Sequence, residues 1–246
     1  MIEFDYSAAQ IAAALLAALG SAFIRGLAGF GMAIILVPIL ALALSPVDAV
    51  LTTNVLAVLL GLSEIRRLLR GAERSAWTII ALIAVTTPPG LYLLTVTSPG
   101  AARVFIALIA MSAFAALYLP RKDEPTHGTA TTIGVGALSG LMTGYAGMPG
   151  PPVVPYYVGR TIAREVAKTS MLLIFTFAAA IGLGSGLAIG VLKAEQAVLA
   201  AILLPAVVLG NYVGNKASGR IADATWRISV GLILGGAAVA AILRVI

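Results

Sequence analysis

The sequence predicts an all-α polytopic membrane protein made of two inverted repeats with Gly/Pro-broken helices and about eight to ten membrane segments. Three observations favour this fold class. The 246 residues are 60% hydrophobic and 11% charged, whereas soluble domains carry about 25% charged residues. The mean hydropathy is +1.04. Glycine and proline interrupt the apolar sequence at matching places in the two halves of the chain.

Ten apolar segments divide evenly between the two halves. Residues 1–119 are the predicted first transmembrane repeat, 120–131 a polar cytoplasmic linker, and 132–246 the second repeat. Several segments are shorter than the roughly 20 residues that a spanning helix needs, and 149–159 is predicted to be a half-helix or a re-entrant segment. The segments lie near 7–24, 30–45, 49–65, 75–97, 100–119, 131–145, 149–159, 166–190, 196–214 and 225–245.

Two stretches are predicted to be one broken-helix element used twice. The first is GLAGFG at 26–31, followed by Pro38, and the second is GYAGMPGPP at 144–152, followed by Pro155. Such breaks are tolerated in a membrane only where the freed backbone groups are buried in protein or face a water-filled cavity. We therefore expect both breaks to face each other near the membrane midplane, across a pseudo-two-fold axis.

The halves also match outside the breaks. The sequence DAVLTTN at 48–54 lines up with REVAKTS at 164–170, and each opens a long predicted helix. The sequence PGLY at 89–92 lines up with LGNY at 209–212 in the penultimate helix of each half. Three matches in the same order predict an internal duplication.

Basic residues order the predicted topology. One short loop should be cytoplasmic under the positive-inside rule because it holds Arg66, Arg67, Arg70 and Arg74. Five segments per half also place the linker and the basic residues of 160–164 and 216–227 on the cytoplasmic side, whereas four per half would place the last two clusters outside. When each repeat has an odd number of membrane segments, the second repeat has the opposite orientation in the membrane. Both termini are therefore expected on the external face of an inner membrane.

The composition argues against chemistry at a metal or thiol. The chain has no cysteine and one histidine, His127, which lies in the linker. We expect no enzymatic activity, no cofactor and no metal. Basic residues that flank the apolar segments explain the net charge of +6. The expected partner is therefore the lipid bilayer and not nucleic acid, and a homo-oligomer stays open.

Two basic residues are candidates for substrate binding. Arg25 directly precedes the first break, and Lys168 lies early in a long apolar helix. A charge at the bilayer centre costs roughly 3 to 15 kcal/mol, so such residues face a cavity or a partner. The alternatives are that both side chains reach the head groups at an interface, or that Lys168 pairs with Glu165 on the same helix face.

The breaks themselves are candidates to bind an anion. Each break starts a new helix, and exposed N–H groups at a helix N-terminus favour a negative ligand. Glycine lets that ligand approach the backbone closely. The alternative is that the glycines permit close helix packing. The predicted substrate-binding residues of the two breaks are Gly29, Phe30, Gly31, Tyr145, Gly147 and Gly150.

Polar residues inside apolar helices complete the candidate set. A hydroxyl often bonds only to a preceding helical carbonyl, whereas an asparagine amide needs partners on both sides. Glu64 is instead expected to pair with Arg66 or Arg67. The polar candidates for substrate contact are Thr53, Asn54, Thr169, Ser170 and Asn211.

These motifs resemble the TauE/SafE family of bacterial membrane permeases. The resemblance rests on Gly-x-x-Gly-Phe-Gly at 26–31 with Pro38, Ala-Val-x-Thr-Thr at 49–53, and the repeat of this pattern as Gly-x-x-Gly-x-x-Gly at 144–150 and Lys-Thr-Ser at 168–170. It covers nearly the whole chain. The resemblance implies a transporter, usually an exporter, of small sulfur-containing anions such as sulfite or organosulfonates.

The residues favour an anionic substrate independently of the resemblance. The charges placed within apolar spans are mostly basic, and no chain of buried carboxylates suggests a cation pump. Together with the resemblance, this predicts alternating access around a central site at the two breaks. An anion channel, which needs one continuous polar pore, and a non-transporting membrane scaffold stay open as alternatives.

Overall fold

The computed structural model describes residues 8–116, 128–158 and 160–217. The predicted tenth segment at 225–245, His127 and most of the linker lie outside these residues. Within them the chain forms nine helices, one for each of the other predicted segments. The helices are α1 (Ala8–Ala28), α2 (Met32–Ala43), α3 (Pro46–Gly71), α4 (Arg74–Val96), α5 (Pro99–Ala116), α6 (Thr129–Ala146), α7 (Gly150–Val158), α8 (Arg164–Ile189) and α9 (Ala194–Ala217).

Five described helices, α1, α3, α4, α8 and α9, are long and apolar enough to cross a membrane. This finding confirms the all-α polytopic membrane class. The helix α7 has 9 residues and is too short to span, as the segment at 149–159 predicted. The helix α6 begins at Thr129, so the last residues of the predicted linker form its first turn.

Both breaks are present, and each is shorter than its sequence motif. The first covers residues 29–31, where Gly29 and Gly31 have φ angles of 83° and 104°. The second covers residues 147–149, and Gly147 has a φ of 66°. Glycine adopts this left-handed backbone without steric cost, whereas an L side chain is strained there. Gly29 and Gly147 therefore follow the ends of α1 and α6, and Gly31 directly precedes α2. Gly26 and Gly144 remain helical.

The two glycines that open the motifs serve close helix packing. A Cβ on Gly144 would lie 2.2 Å from the carbonyl oxygen of Thr87, and a Cβ on Gly26 would lie 2.3 Å from that of Asn211. Gly144 therefore allows α6 to pack on α4, and Gly26 allows α1 to pack on α9. In a comparison of the two halves, α1 corresponds to α6 and α9 corresponds to α4, so the two contacts are equivalent. The helix α3 packs on α8, which is its counterpart in the other half.

The same contacts correct the predicted register of the penultimate helices. A Cβ on Gly90 would lie 2.4 Å from the carbonyl oxygen of Leu141, and a Cβ on Gly214 would lie 2.1 Å from that of Phe23. Leu141 and Phe23 each lie three residues before the first glycine of a motif. Gly90 therefore corresponds to Gly214, and its predicted match with Gly210 was wrong by about one helical turn.

Contacts between distant loops show which residues share an end of the bundle. Arg160 forms a bidentate ion pair with Glu73, which places the loop after α7 beside the short connection between α3 and α4. The predicted basic loop is corrected here, because Arg66, Arg67 and Arg70 lie in the last turns of α3 and Arg74 begins α4. At the other end, Asp48 accepts a hydrogen bond from Gln196 at 2.8 Å. This pairing agrees with five segments per half. Which end faces the cytoplasm stays a prediction.

Candidate functional site

A cavity of about 50 Å³ lies between the two breaks. One water needs about 10–15 Å³ of such space, so the cavity has room for a few waters or a small oxyanion. The first break contributes Phe30 and Gly31 to its wall, and the second contributes the stretch 147–150. One internal site thus receives residues from both elements that the sequence singled out.

The polar wall of the cavity comes from α1 and α3. Arg25, Thr53 and Asn54 line it, and 7%, 0% and 2% of their surfaces are exposed. Thr53 Oγ1 and Asn54 Nδ2 have no hydrogen-bond partner among the residues that the structure describes. A buried polar atom without a partner costs about 1–3 kcal/mol. Both atoms are fully covered by the surrounding protein atoms.

The Arg25 guanidinium has two protein acceptors. Its Nη1 donates to Asn211 Oδ1 at 2.7 Å and to Glu64 Oε1 at 3.4 Å. Glu64 also pairs with Arg67, as the sequence predicted, and Arg67 pairs with Glu165 on α8 at 2.9 Å. The charge of Arg25 is thus partly compensated on the side away from the cavity. An anion in the cavity would meet a guanidinium that neighbouring groups already orient.

The two breaks offer unequal numbers of backbone donors. At the start of α2, the N–H groups of residues 32–34 precede the first intrahelical bond, which runs from Ile35 N to Gly31 O. At the start of α7, Pro151 and Pro152 have no N–H to donate, and Gly150 is the first residue that has one. Proline thus removes most of the backbone donors that the second break would otherwise offer to an anion.

The opposite wall of the cavity is apolar. Phe30, Ile34, Met148 and Phe175 line it. A Cβ on Gly150 would lie 3.4 Å from Ile34 Cδ1 and 3.9 Å from Phe175 Cζ, so these two side chains converge on the start of α7. The cavity therefore has one polar side and one apolar side.

The structure brings about half of the predicted site residues together. Those that line the cavity are Arg25, Phe30, Gly31, Thr53, Asn54, Gly147 and Gly150. Those that do not line it are Gly29, Tyr145, Lys168, Thr169, Ser170 and Asn211. The second set lies behind the cavity wall or between helices.

Lys168 supports the first break from outside the cavity. Its Nζ donates to the carbonyl oxygen of Gly26 at 3.1 Å and to Asn215 Oδ1 at 3.4 Å. Its aliphatic stem crosses Gly29, where an added Cβ would lie 2.6 Å from Lys168 Cγ. A cation at the last turn of α1 complements the helix dipole. Lys168 thus caps the end of α1, and Gly29, which has no side chain, leaves space for the Lys168 stem.

The remaining polar candidates contact protein. Ser170 Oγ accepts a hydrogen bond from Glu73 N at 2.9 Å and donates to Val166 O, so it joins α8 to the start of α4. Asn211 accepts from Arg25. Tyr145 packs its ring on the edge of Phe105 at a centroid distance of 6.2 Å. A Cβ on Gly71 would lie 3.0 Å from the methyl group of Thr169.

Several lining residues escaped prediction because they are apolar. Ala57 follows Thr53 by one turn of α3, and Phe175 and Ala179 are one turn apart on α8. Residues one turn apart share a helix face, so the spacing from Thr53 could have identified Ala57 as a lining residue. The missed lining residues are Met32, Ala33, Ile34, Ala57, Met148, Pro149, Phe175 and Ala179.

Comparison with known proteins assigns the family. The sequence model of the family described as "Sulfite exporter TauE/SafE" matches residues 13–241. A relative from Cupriavidus necator, named "Probable sulfite/organosulfonate exporter TauE", is 26% identical over 224 residues, which cover 87% of this chain and 86% of the relative. No solved structure gives a significant match. Because the family match covers most of the sequence, the chain belongs to the TauE/SafE family of sulfite exporters.

Proposed function

We propose that this membrane protein exports a small sulfur-containing anion, such as sulfite or an organosulfonate. The family description and the name of the Cupriavidus necator relative support this substrate class. Transport, and not catalysis, is the role that the family implies. We place the protein in the inner membrane with both termini outside, because the basic loops then lie in the cytoplasm.

The cavity between the two breaks is the observation that carries the proposal. Arg25, Asn54 and the first residues of α2 line one small cavity. A sulfonate or sulfite presents three acceptor oxygens in a tripod, which can engage a guanidinium, an amide and backbone donors at once. A cation would meet the Arg25 charge and the positive end of the α2 dipole.

Alternating access is the mechanism that we infer for this site. The contacts of α1 with α9 and of α6 with α4 are equivalent when the halves are exchanged. Residues 1–119 and 132–246 would then be two inverted repeats, with the cavity at their interface. Movement of one repeat against the other would open the cavity to each side in turn. An anion channel or a non-transporting scaffold remains the alternative.

Ligand-induced stabilisation tests the anion site. The detergent-purified protein is melted with sulfite, sulfoacetate or isethionate, and separately with choline or putrescine, at constant ionic strength. A ligand that binds the folded state raises the melting temperature. We expect the anions to raise it and the amines to leave it unchanged. Stabilisation by the amines and by none of the anions would overturn the proposal.

Counterflow in proteoliposomes separates a transporter from the alternatives. Unlabelled sulfite inside the vesicles should accelerate entry of labelled sulfite, because a carrier exchanges its substrate faster than it returns empty. A channel would conduct without this acceleration, and a scaffold would move no label. Either of these two results would contradict alternating access.

A further inference from the structure

The walls that α3 and α8 present to the cavity are unequal. Ala57 and Phe175 both line it, and each lies eleven residues after the first residue of a 26-residue helix. In the register set by the two helix starts, which differs by two residues from the predicted match of 48–54 with 164–170, they are equivalent positions, one small and one large. In the same register Asn54 on α3 lines the cavity, whereas its equivalent on α8, Leu172, does not.

This inequality gives the cavity two distinct ends along the second break. At Gly147, an added Cβ would lie 3.4 Å from Val50 Cγ1, 3.5 Å from Val37 Cγ2 and 3.6 Å from Asn54 Oδ1. At Gly150, it would lie 3.4 Å from Ile34 Cδ1, 3.8 Å from Val154 Cγ2 and 3.9 Å from Phe175 Cζ. The Gly147 end therefore has one polar atom among its nearest neighbours, and the neighbours of the Gly150 end are all apolar.

We infer that the preferred substrate is a short-chain alkanesulfonate and that Phe175 sets the limit on the length of its tail. The inference rests on the proposed function. The sulfonate would accept hydrogen bonds from Arg25, and the alkyl tail would lie against Phe175 and Ile34. A space of about 50 Å³ is equivalent to about three to five waters. A sulfonate group with one or two carbons fills that space, and a longer tail meets the Phe175 ring.

The charge of the lining agrees with a single anionic group. Arg25 is the one basic residue that lines the cavity in the described part of the chain, and no acidic residue lines it. The ammonium group of Lys168 instead contacts the Gly26 carbonyl. The apolar end therefore has no side-chain charge to offer a second ionic group on the tail.

Transport of a chain-length series tests the inference. Proteoliposomes with the full chain are assayed with sulfite and with methane-, ethane-, butane- and hexanesulfonate. Wild type should move the two short sulfonates and discriminate against the longer ones, about tenfold or more per methylene that does not fit. Phe175→Ala should raise transport of butanesulfonate relative to methanesulfonate by about tenfold or more. Equal rates for all chain lengths in wild type, or an unchanged profile in F175A, would overturn the inference.

Phe177→Ala is the matched control. Phe177 lies on the same helix, and its ring packs on the edge of Trp77 at a centroid distance of 5.6 Å, away from the cavity lining. The variant removes the same atoms and should keep the wild-type profile. A change of profile in F177A equal to that in F175A would contradict a specific role for Phe175.

A narrowing variant covers the case in which F175A does not fold. Ala57→Leu adds volume from the wall that α3 forms, so it should reduce transport of ethanesulfonate more than transport of sulfite. Equal effects on both anions would overturn the inference. Transport of sulfite without any alkanesulfonate in wild type would also overturn it and leave the proposed function standing. Transport of no sulfur-containing anion by wild type would instead refute the proposed function.

Discussion

The Arg25 guanidinium donates to the amide oxygen of Asn211 at 2.7 Å, across the contact between α1 and α9. Both residues were predicted to bind substrate, and the structure places only Arg25 at the cavity. Asn211 fixes the direction of the guanidinium. Thr87 occupies the position on α4 that corresponds to Asn211 in the corrected register, so this amide has no counterpart there.

Arg25→Ala should reduce anion affinity more than Arg70→Ala. Loss of a hydrogen bond to a charged group costs about 1.5–3 kcal/mol, which is about tenfold or more in affinity. Arg70 is exposed in the last turn of α3 and does not line the cavity. Sulfite binding and efflux are measured at matched expression. Equal affinities and rates in the two variants would remove Arg25 from the binding site.

Gly144→Ala should destabilise the protein, whereas Gly134→Ala on the same helix should not. The added methyl group at Gly144 would lie 2.2 Å from the backbone oxygen of Thr87, which α4 cannot move without shifting as a whole. Nothing lies within 4 Å of the same position at Gly134, and alanine there gains up to about 1 kcal/mol of helix propensity. Melting temperatures in detergent provide the measurement. A lower value for G134A than for G144A would contradict the described packing.

How much the sequence predicted depends on whether a feature is local. Helix breaks were predictable because left-handed glycine acts on its own segment, whereas Pro38 and Pro155 lie inside α2 and α7. The contact of the Lys168 side chain was not predictable. Its ammonium group donates to a carbonyl of α1, and only tertiary packing brings that carbonyl near. The helix register failed for a similar reason. Gly210 and Gly214 both pack on α1, and only the contact of Gly214 with Phe23 reveals the equivalent of Gly90.

Glu73→Gln should lower the melting temperature. Glu73 accepts two hydrogen bonds from Arg160, at 2.5 Å and 2.8 Å, and 5% of the Arg160 side chain is exposed. Loss of one partner of a fully buried ion pair costs about 3–5 kcal/mol, and the partial exposure of Glu73 reduces our expectation to about 2 kcal/mol. Glu195→Gln, at an exposed position on α9, is the control. Equal melting temperatures for the two variants would contradict this role of the ion pair.

The ion pair of Arg160 and Glu73 should stabilise the protein by the same amount at neutral and at mildly alkaline pH. The hydrogen bonds to Glu73 raise the pKa of Arg160. A base whose pKa is raised on folding contributes stability below its unfolded pKa and loses it only as the pH passes the folded value. Both values lie far above neutral pH for arginine. The difference in melting temperature between wild type and E73Q should therefore stay constant from neutral to mildly alkaline conditions, and a steady decrease over that range would contradict it.

Glu64→Gln should strengthen anion binding and weaken the fold at the same time. Glu64 Oε1 lies 3.4 Å from Arg25 Nη1, and the Glu64 carboxylate also pairs with Arg67. Glutamine keeps the shape of the side chain and removes the charge that competes with a bound anion for Arg25. We expect sulfite affinity to rise by up to about tenfold, which corresponds to about 1.4 kcal/mol. The uncompensated guanidinium should lower the melting temperature measured without anion.

The matched control for this prediction is Glu165→Gln. Glu165 belongs to the same charge cluster, but 70% of its side chain is exposed and its partner is Arg67. Solvent screens such a pair, so E165Q should change affinity and melting temperature only slightly. The charged groups of the described chain that interact with this cluster are Arg25, Arg67, Glu165 and Lys168. If E64Q lowered sulfite affinity, the Glu64 carboxylate would be supporting the binding geometry of Arg25, and competition between carboxylate and substrate would be excluded.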